Sequence, residues 1–231
     1  VLRRSVADEG SRLQTLLDLK NAKGWLFADR VLLVEGKTEA KVLPDLISVV
    51  SGKSLTSRSI ALVQIDGAGE LADCMSVLAA MGMSCMAVAD LDFVLDKALA
   101  AGLIHKDERL VAEMLDEFKL LADEHEMVTL GSNGRPCRDK EKKGGMKPSE
   151  VVTLWATTAG RNTAQALRRK LLPHQIWLWP EGDIEHHLGI PNKKGPAQAK
   201  FIEDIGQDGW QGVVNDVVAV KELVGWLDSV A

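Results

Sequence analysis

Val31-Leu32-Leu33-Val34-Glu35-Gly36-Lys37-Thr38-Glu39 decides the fold. The four apolar residues predict a buried central strand. Glu35 closes it, Gly36 permits a tight turn, and Thr38 is placed to cap a helix running to about Val50. Pro44 falls inside that helix and is expected to bend it. The same order recurs downstream. Ile60 to Ile65 predicts a second strand closed by Asp66-Gly67, and Gly69 to Met81 a helix. Cys85 to Ala89 predicts a third strand, ending in Asp90-Leu91-Asp92. Strands alternating with helices at this spacing indicate βαβ units and a parallel sheet. The expected fold class is therefore α/β, a Rossmann-like parallel sheet flanked by helices.

Both acidic groups fall at the carboxyl ends of strands, where open sheets of this kind bind ligands. Glu35 and Glu39 are one helical turn apart and can face one cleft. Glu39 at a helix start also complements the helix dipole, which alone would explain it. If Asp90-Leu91-Asp92 is extended, both aspartates project to one side and Leu91 to the other. The competing reading is a turn in which aspartate bonds local backbone. Several carboxylates gathered at one sheet edge repel one another unless a cation joins them. Hard oxygen ligands favour Mg²⁺ or Mn²⁺.

Beyond Phe93 the pattern turns helical as far as Leu172, broken by a Gly/Lys-rich stretch from Gly131 to Pro148. This region is expected to be a helical insertion or subdomain. Ile176-Trp177-Leu178-Trp179 restores a strand, followed by Pro180-Glu181-Gly182-Asp183 and a helix from Ile184 to Leu188. Glu181, Asp183 and Glu185 make a third acidic group. His186 and His187 follow, but adjacent helical residues point about 100° apart, so the two cannot easily share one ion. At least one is expected to be packed or solvated. A polar turn over Asn192 to Pro196 leads to two final helices, near 196–206 and 213–229.

Bulk properties exclude several classes. The chain has 231 residues, a net charge of −5 and 46% hydrophobic residues, enough for a sizeable core but too acidic to hold nucleic acid by bulk charge. Positive charge is local instead: Arg135, Arg138, Lys140, Lys142, Lys143 and Lys147 in one stretch, Arg161, Arg168, Arg169 and Lys170 in another. Each also reads as an ordinary solvated surface. Cys74, Cys85 and Cys137 form no CxxC pair, which argues against a zinc ribbon or a disulfide framework. No run is long enough to span a membrane, no secretory signal is evident, and a cytoplasmic location is expected. Gly36-Lys37-Thr38 resembles the end of a phosphate-binding loop, but Val31 stands where that loop needs its first glycine.

Residues Val31 to Glu39 resemble the first motif of the Toprim domain, and Ala89-Asp90-Leu91-Asp92 resembles its DxD motif. Topoisomerases of that superfamily attack through tyrosine, and this chain contains none. The cysteines do not suit the zinc modules of bacterial primases or RecR-type proteins. Leu26-Phe27-Ala28-Asp29-Arg30 and Trp179-Pro180-Glu181-Gly182-Asp183-Ile184-Glu185 look most like OLD (overcoming lysogenisation defect) nucleases, of the class 2-like kind.

That resemblance implies a Toprim core over 25–95 plus 174–231, a helical insertion over 96–173, and an N-terminal helix over 1–24. The helix would be the remnant of a link to an N-terminal ABC-type ATPase domain, through which a homodimer is expected. It implies a DNA nuclease using two ions, Mg²⁺ or Mn²⁺. Glu35, Asp90 and Asp92 match the metal-binding positions; Glu39, Glu181 and Glu185 would complete a second site. Lys194 is the first choice for a transition-state lysine, with Lys193 and Lys200 as rivals. A non-catalytic nucleic-acid or partner-binding scaffold and a primase-like nucleotidyl transferase remain alternatives.

Overall fold

The computed structural model describes residues 25, 27–65, 70–138 and 144–230. The helix expected over 1–24, the Asp66-Gly67 strand closure and Asp139 to Lys143 lie outside them. In chain order the elements are β1 (Arg30–Val34), α1 (Lys37–Ser51), β2 (Ile60–Gln64), α2 (Leu71–Ala80) and β3 (Ser84–Ala89). A 3₁₀ turn (Leu91–Val94) leads into α3 (Lys97–Ala100), α4 (Arg109–Glu124), α5 (Pro148–Thr157) and α6 (Arg161–Leu171). The chain ends with β4 (Ile176–Leu178), α7 (Ile184–Leu188), α8 (Gly195–Asp204), α9 (Trp210–Val213) and α10 (Val217–Ser229).

The four strands form one sheet in the order β2-β1-β3-β4, and every pairing is parallel. The expected α/β sheet with flanking helices is thus the observed one. β1 is interior and apolar from Val31 to Val34 because it is covered on both faces there, as parallel sheets require. Strand periodicity splits its residues between two cores. Val31 and Leu33 join Ala87, Ala89, Ile176 and Leu178 under helices that include Phe118, Val152 and Trp155. Leu32 and Val34 join Met86, Val88 and Trp177 under Leu43, Ile47, Val220 and Leu223. The helices between 96 and 173 therefore share one core with the sheet. Burying a side chain of this size contributes about 1.5–3 kcal/mol, so the two covered faces hold the strand ends rigid.

Two local expectations differ in form. Gly36, not Thr38, is the N-cap of α1, without a side-chain bond. The last helix does not begin at 213: Val214 is extended, and Asp216 starts α10 by accepting the Ala219 N–H at 2.9 Å. Among the described residues no helix is long and apolar enough to cross a membrane.

Candidate functional site

The site forms where β1, β3 and β4 run out. At the end of β1, Gly36 clears space for Glu39 to fold back; a Cβ there would stand 2.5 Å from Glu39 Oε2. Glu39 is consequently 3% exposed although it lies in the first turn of α1. At the end of β3, Asp90 is extended, but the chain then turns into the 3₁₀ segment. Asp90 and Asp92 are therefore not alternate residues of one strand. Leu91 is fully buried, and Asp92 still lies close enough to Lys193 and Asp183 for their charges to act on it.

After β4 the chain is stitched back to β3. The Leu91 N–H donates to the Gly182 carbonyl at 2.8 Å, and the Ile184 N–H donates to Asp90 Oδ1 at 3.2 Å. Gly182 has φ +115, and a Cβ there would fall 2.1 Å from Thr153 Oγ1. Only glycine adopts this conformation readily, and it reverses the chain so that Asp183 begins α7. Asp183 accepts the His186 N–H at 3.0 Å as N-cap, and Glu185 follows within the first turn. Asp90, Asp183 and Glu185 each bring one carboxylate oxygen to within 4.8 Å of the others.

Glu185 is held from two further elements. Thr38 Oγ1 donates to Glu185 Oε1 at 2.6 Å and accepts from Gln198 Nε2 at 2.9 Å, linking α1, α7 and α8. The hydroxyl expected to cap a helix thus orients an acid instead. Beneath them, buried His187 accepts the Glu181 N–H at Nε2, at 3.0 Å. Its Nδ1 therefore carries the proton and donates to Asp216 Oδ2 at 2.9 Å. The ring stacks on Trp179 at 5.1 Å. Burial lowers His187 from 6.5 to about 4 despite Asp216, so it is a neutral packed strut. His186 is exposed.

The charges report the crowding. Burial pushes Glu39 from its ordinary 4.5 up to about 7; its own backbone bond opposes this, while Glu185 and Glu35 add to it. Burial also holds Asp90 well above the usual carboxylate range, with Glu39 reinforcing it and Lys193 opposing. Asp92 is raised by burial in the same way. Lys193 Nζ lies 3.3 Å from Glu185 Oε2, 3.6 Å from Asp90 Oδ2 and 3.9 Å from Asp183 Oδ2. Burial works against its charge, but Asp90, Glu185 and Asp183 outweigh that and raise it above an ordinary lysine. An ammonium at this point shows where positive charge is wanted.

The structure thus brings together Asp90, Glu185 and Asp183, with Glu39 and Asp92 coupled to them by charge and Glu35 acting on Glu39. It turns Glu181 aside, towards Arg161 at 3.8 Å. Of the three lysines, Lys193 faces the acids. Lys194 N-caps α8, and Lys200 pairs with Asp204 at 2.8 Å. Asp183 was visible in the third acidic group, yet only its role as cap and neighbour of Asp90 singles it out. The basic stretches are partly paired internally: Arg135 with Asp96, Lys147 with Glu150, Arg168 with Glu222 and Lys170 with Glu108.

Residues 26–92 match the family model described as "Overcoming lysogenization defect protein-like, TOPRIM domain". The chain is 28% identical over 183 residues to the Old nuclease of Escherichia phage P2, covering 79% of this chain and 30% of that protein. It therefore spans under a third of that relative's length. Among solved structures it is similar to the C-terminal region of the Xanthomonas campestris pv. campestris OLD protein. That match has 16% identity, covers 90% of this chain and 96% of the other, and has a TM-score of 0.38. The C-terminal region of the Burkholderia pseudomallei OLD protein gives 13% identity, 89% and 100% coverage, and a TM-score of 0.33.

Proposed function

We propose that this chain, whose residues 26–92 match the OLD-like Toprim family model, is a nuclease domain that hydrolyses DNA phosphodiester bonds with two divalent cations, Mg²⁺ or Mn²⁺. One observation carries the reading: oxygens of Asp90 and of the distant pair Asp183 and Glu185 converge within 4.8 Å. Such a group costs folding energy, which a cation offsets. The donor set is all carboxylate oxygen, as Mg²⁺ and Mn²⁺ prefer.

Asp90, Asp183 and Glu185 would hold one ion, and Glu35, Glu39 and Asp92 would serve the second. Bound there, the ions would supply Lewis acidity and an activated water. The residues themselves do the positioning. Thr38 and Gln198 fix Glu185, the Ile184 N–H fixes Asp90, and the His187–Asp216 pair fixes the backbone at Glu181. With the carboxylates engaged by cations, Lys193 would be free to face the phosphoryl oxygens, where its charge would favour the transition state. Glu39 holds a proton up to about pH 7. A cation held there would displace that proton.

An N-terminal ATPase domain in the parent protein is part of the same proposal, in keeping with the greater length of the phage P2 relative. The test is nicking of supercoiled plasmid in Mg²⁺, Mn²⁺ or EDTA by the wild type, Asp90→Asn and Glu185→Gln. Cleavage should require the cation and fall at least about 100-fold in each variant, more than loss of an outer-sphere partner costs. Undiminished cutting by either variant, or by the wild type in EDTA, would refute the assignment.

A further inference from the structure

A cavity of about 430 Å³ lies between α6 and α10, lined in part by Arg168, Arg169, Trp177, Glu222, Gly225 and Trp226. It belongs to the other end of the sheet from the acids. Arg30, the first residue of β1, donates from Nη1 to the Leu227 carbonyl at 3.4 Å and the Val230 carbonyl at 2.6 Å. The last turn of α10 is thereby tied to the amino end of the strand whose carboxyl end carries Glu35.

Three features mark the lining of this cavity. Gly225 sits inside the 13-residue helix α10, where glycine is less stable than alanine. A Cβ built on it meets no atom within 4 Å, so no neighbour demands the glycine and its effect is to leave the wall open. Arg168 stacks its guanidinium 3.9 Å from the centroid of Trp177 while Glu222 holds its Nη2 at 3.0 Å. Trp177 in turn leans on half-buried Trp226, with ring centroids 5.8 Å apart. The N–H groups at Arg168 Nε and Trp177 Nε1 are buried and have no acceptor among the described residues. Both residues line the cavity, and unpaired buried donors of this kind are uncommon. Arg169 stands exposed beside them.

We propose that this cavity binds a planar ring carrying an anionic group, the chemistry of a single nucleotide. The ring would lie against Trp226 in the space beside Gly225, and the phosphate would meet Arg169 and Arg168. Indole faces accept any base, and guanidinium groups match phosphate oxygens. The nucleotide has two sources, a free mononucleotide or an unpaired nucleotide within a strand. The inference stands apart from hydrolysis at the acidic end.

The test is calorimetric titration of the whole chain in EDTA, so that no cation engages the carboxylates. The probes are deoxyadenosine monophosphate and a short oligothymidylate. Gly225→Leu fills the cavity and removes a helix glycine; Arg169→Ala changes an exposed side chain and leaves the core intact. Saturable binding of at least one probe is expected, weakened roughly tenfold or more in both variants, as loss of one stacked base would do. Binding of the mononucleotide identifies a free ligand; binding of the oligothymidylate alone identifies a strand. Absence of saturable binding by both probes, or unchanged affinity in either variant, overturns the proposal. Plasmid cutting, measured separately, reports on the acidic end, so the two readings fail independently.

Discussion

Glu39→Gln should stabilise the cation-free protein at alkaline pH. Burial moves the carboxyl from 4.5 to about 7, at a position 3% exposed. At ~1.4 kcal/mol per pH unit, that is about 3 kcal/mol separating the cost of charging this group in the folded and unfolded chains. The folded state keeps the proton between pH 4.5 and about 7 while the unfolded state has lost it. Stability therefore declines as pH rises through that window, and the whole penalty is present above it. Glutamine never ionises, and its removal of charge also relieves Asp90, on which Glu39 acts directly. Urea unfolding in EDTA should show wild type and variant nearly equal at pH 4.5, with the variant ahead by about 3 kcal/mol at pH 8. Adding Mn²⁺ at pH 8 should stabilise the wild type more than the variant. A variant no more stable than wild type at pH 8, or a gap independent of pH, would show that Glu39 is not a desolvated acid facing the cluster.

Lys193→Met removes the ammonium shared by Asp90, Asp183 and Glu185. It should lower the melting temperature in EDTA, and Mn²⁺ should close most of the gap; an equal loss with and without the ion would contradict the shared-charge role. Gly182→Ala places a Cβ 2.1 Å from Thr153 Oγ1 at φ +115. It should destabilise by about 1–3 kcal/mol and impair plasmid cutting, and a variant of wild-type stability would refute the strain. His187, lowered by burial to about 4, should keep neutral-ring NMR shifts from pH 8 down to pH 5. Because the unfolded histidine takes up its proton near 6.5, its contribution to stability is lost as pH falls from there through about 4; a ring titrating near 6.5 in the folded protein would argue against the buried strut.

The strands were legible because each is a short apolar run that breaks at a carboxylate or glycine. β1, β3 and the start of β4 could be placed from that alone, and with them Glu35 and Asp90. What could not be read was the path just beyond the strand ends. Alternation would put Glu181, Asp183 and Glu185 on one side, but Gly182 takes a positive φ and sends Glu181 towards Arg161. Asp90-Leu91-Asp92 likewise satisfies strand spacing, and the 3₁₀ turn is set by Leu91 burying itself and bonding Gly182. Lys193 and Lys194 are chemically identical neighbours in a turn without periodicity. Which one faces the acids depends on how α8 docks, with Gln198 reaching Thr38 at 2.9 Å.

The stitch between Leu91 and Gly182 at 2.8 Å, with that between Ile184 and Asp90 at 3.2 Å, makes the intervening chain a closed excursion that leaves and re-enters at one neck. Its exposed connections can then change length at little cost, because closing a longer flexible loop adds only about 0.6 kcal/mol per doubling, whereas Thr153 and Arg161 touch the neck itself. A replacement segment of different size should be tolerated there as an interchangeable cassette. It must supply a strand beside β3 and a greasy cover for the face now occupied by Phe118 and Trp155. Variation in what the protein grips could therefore accumulate in this excursion while the chemistry at its neck stays still.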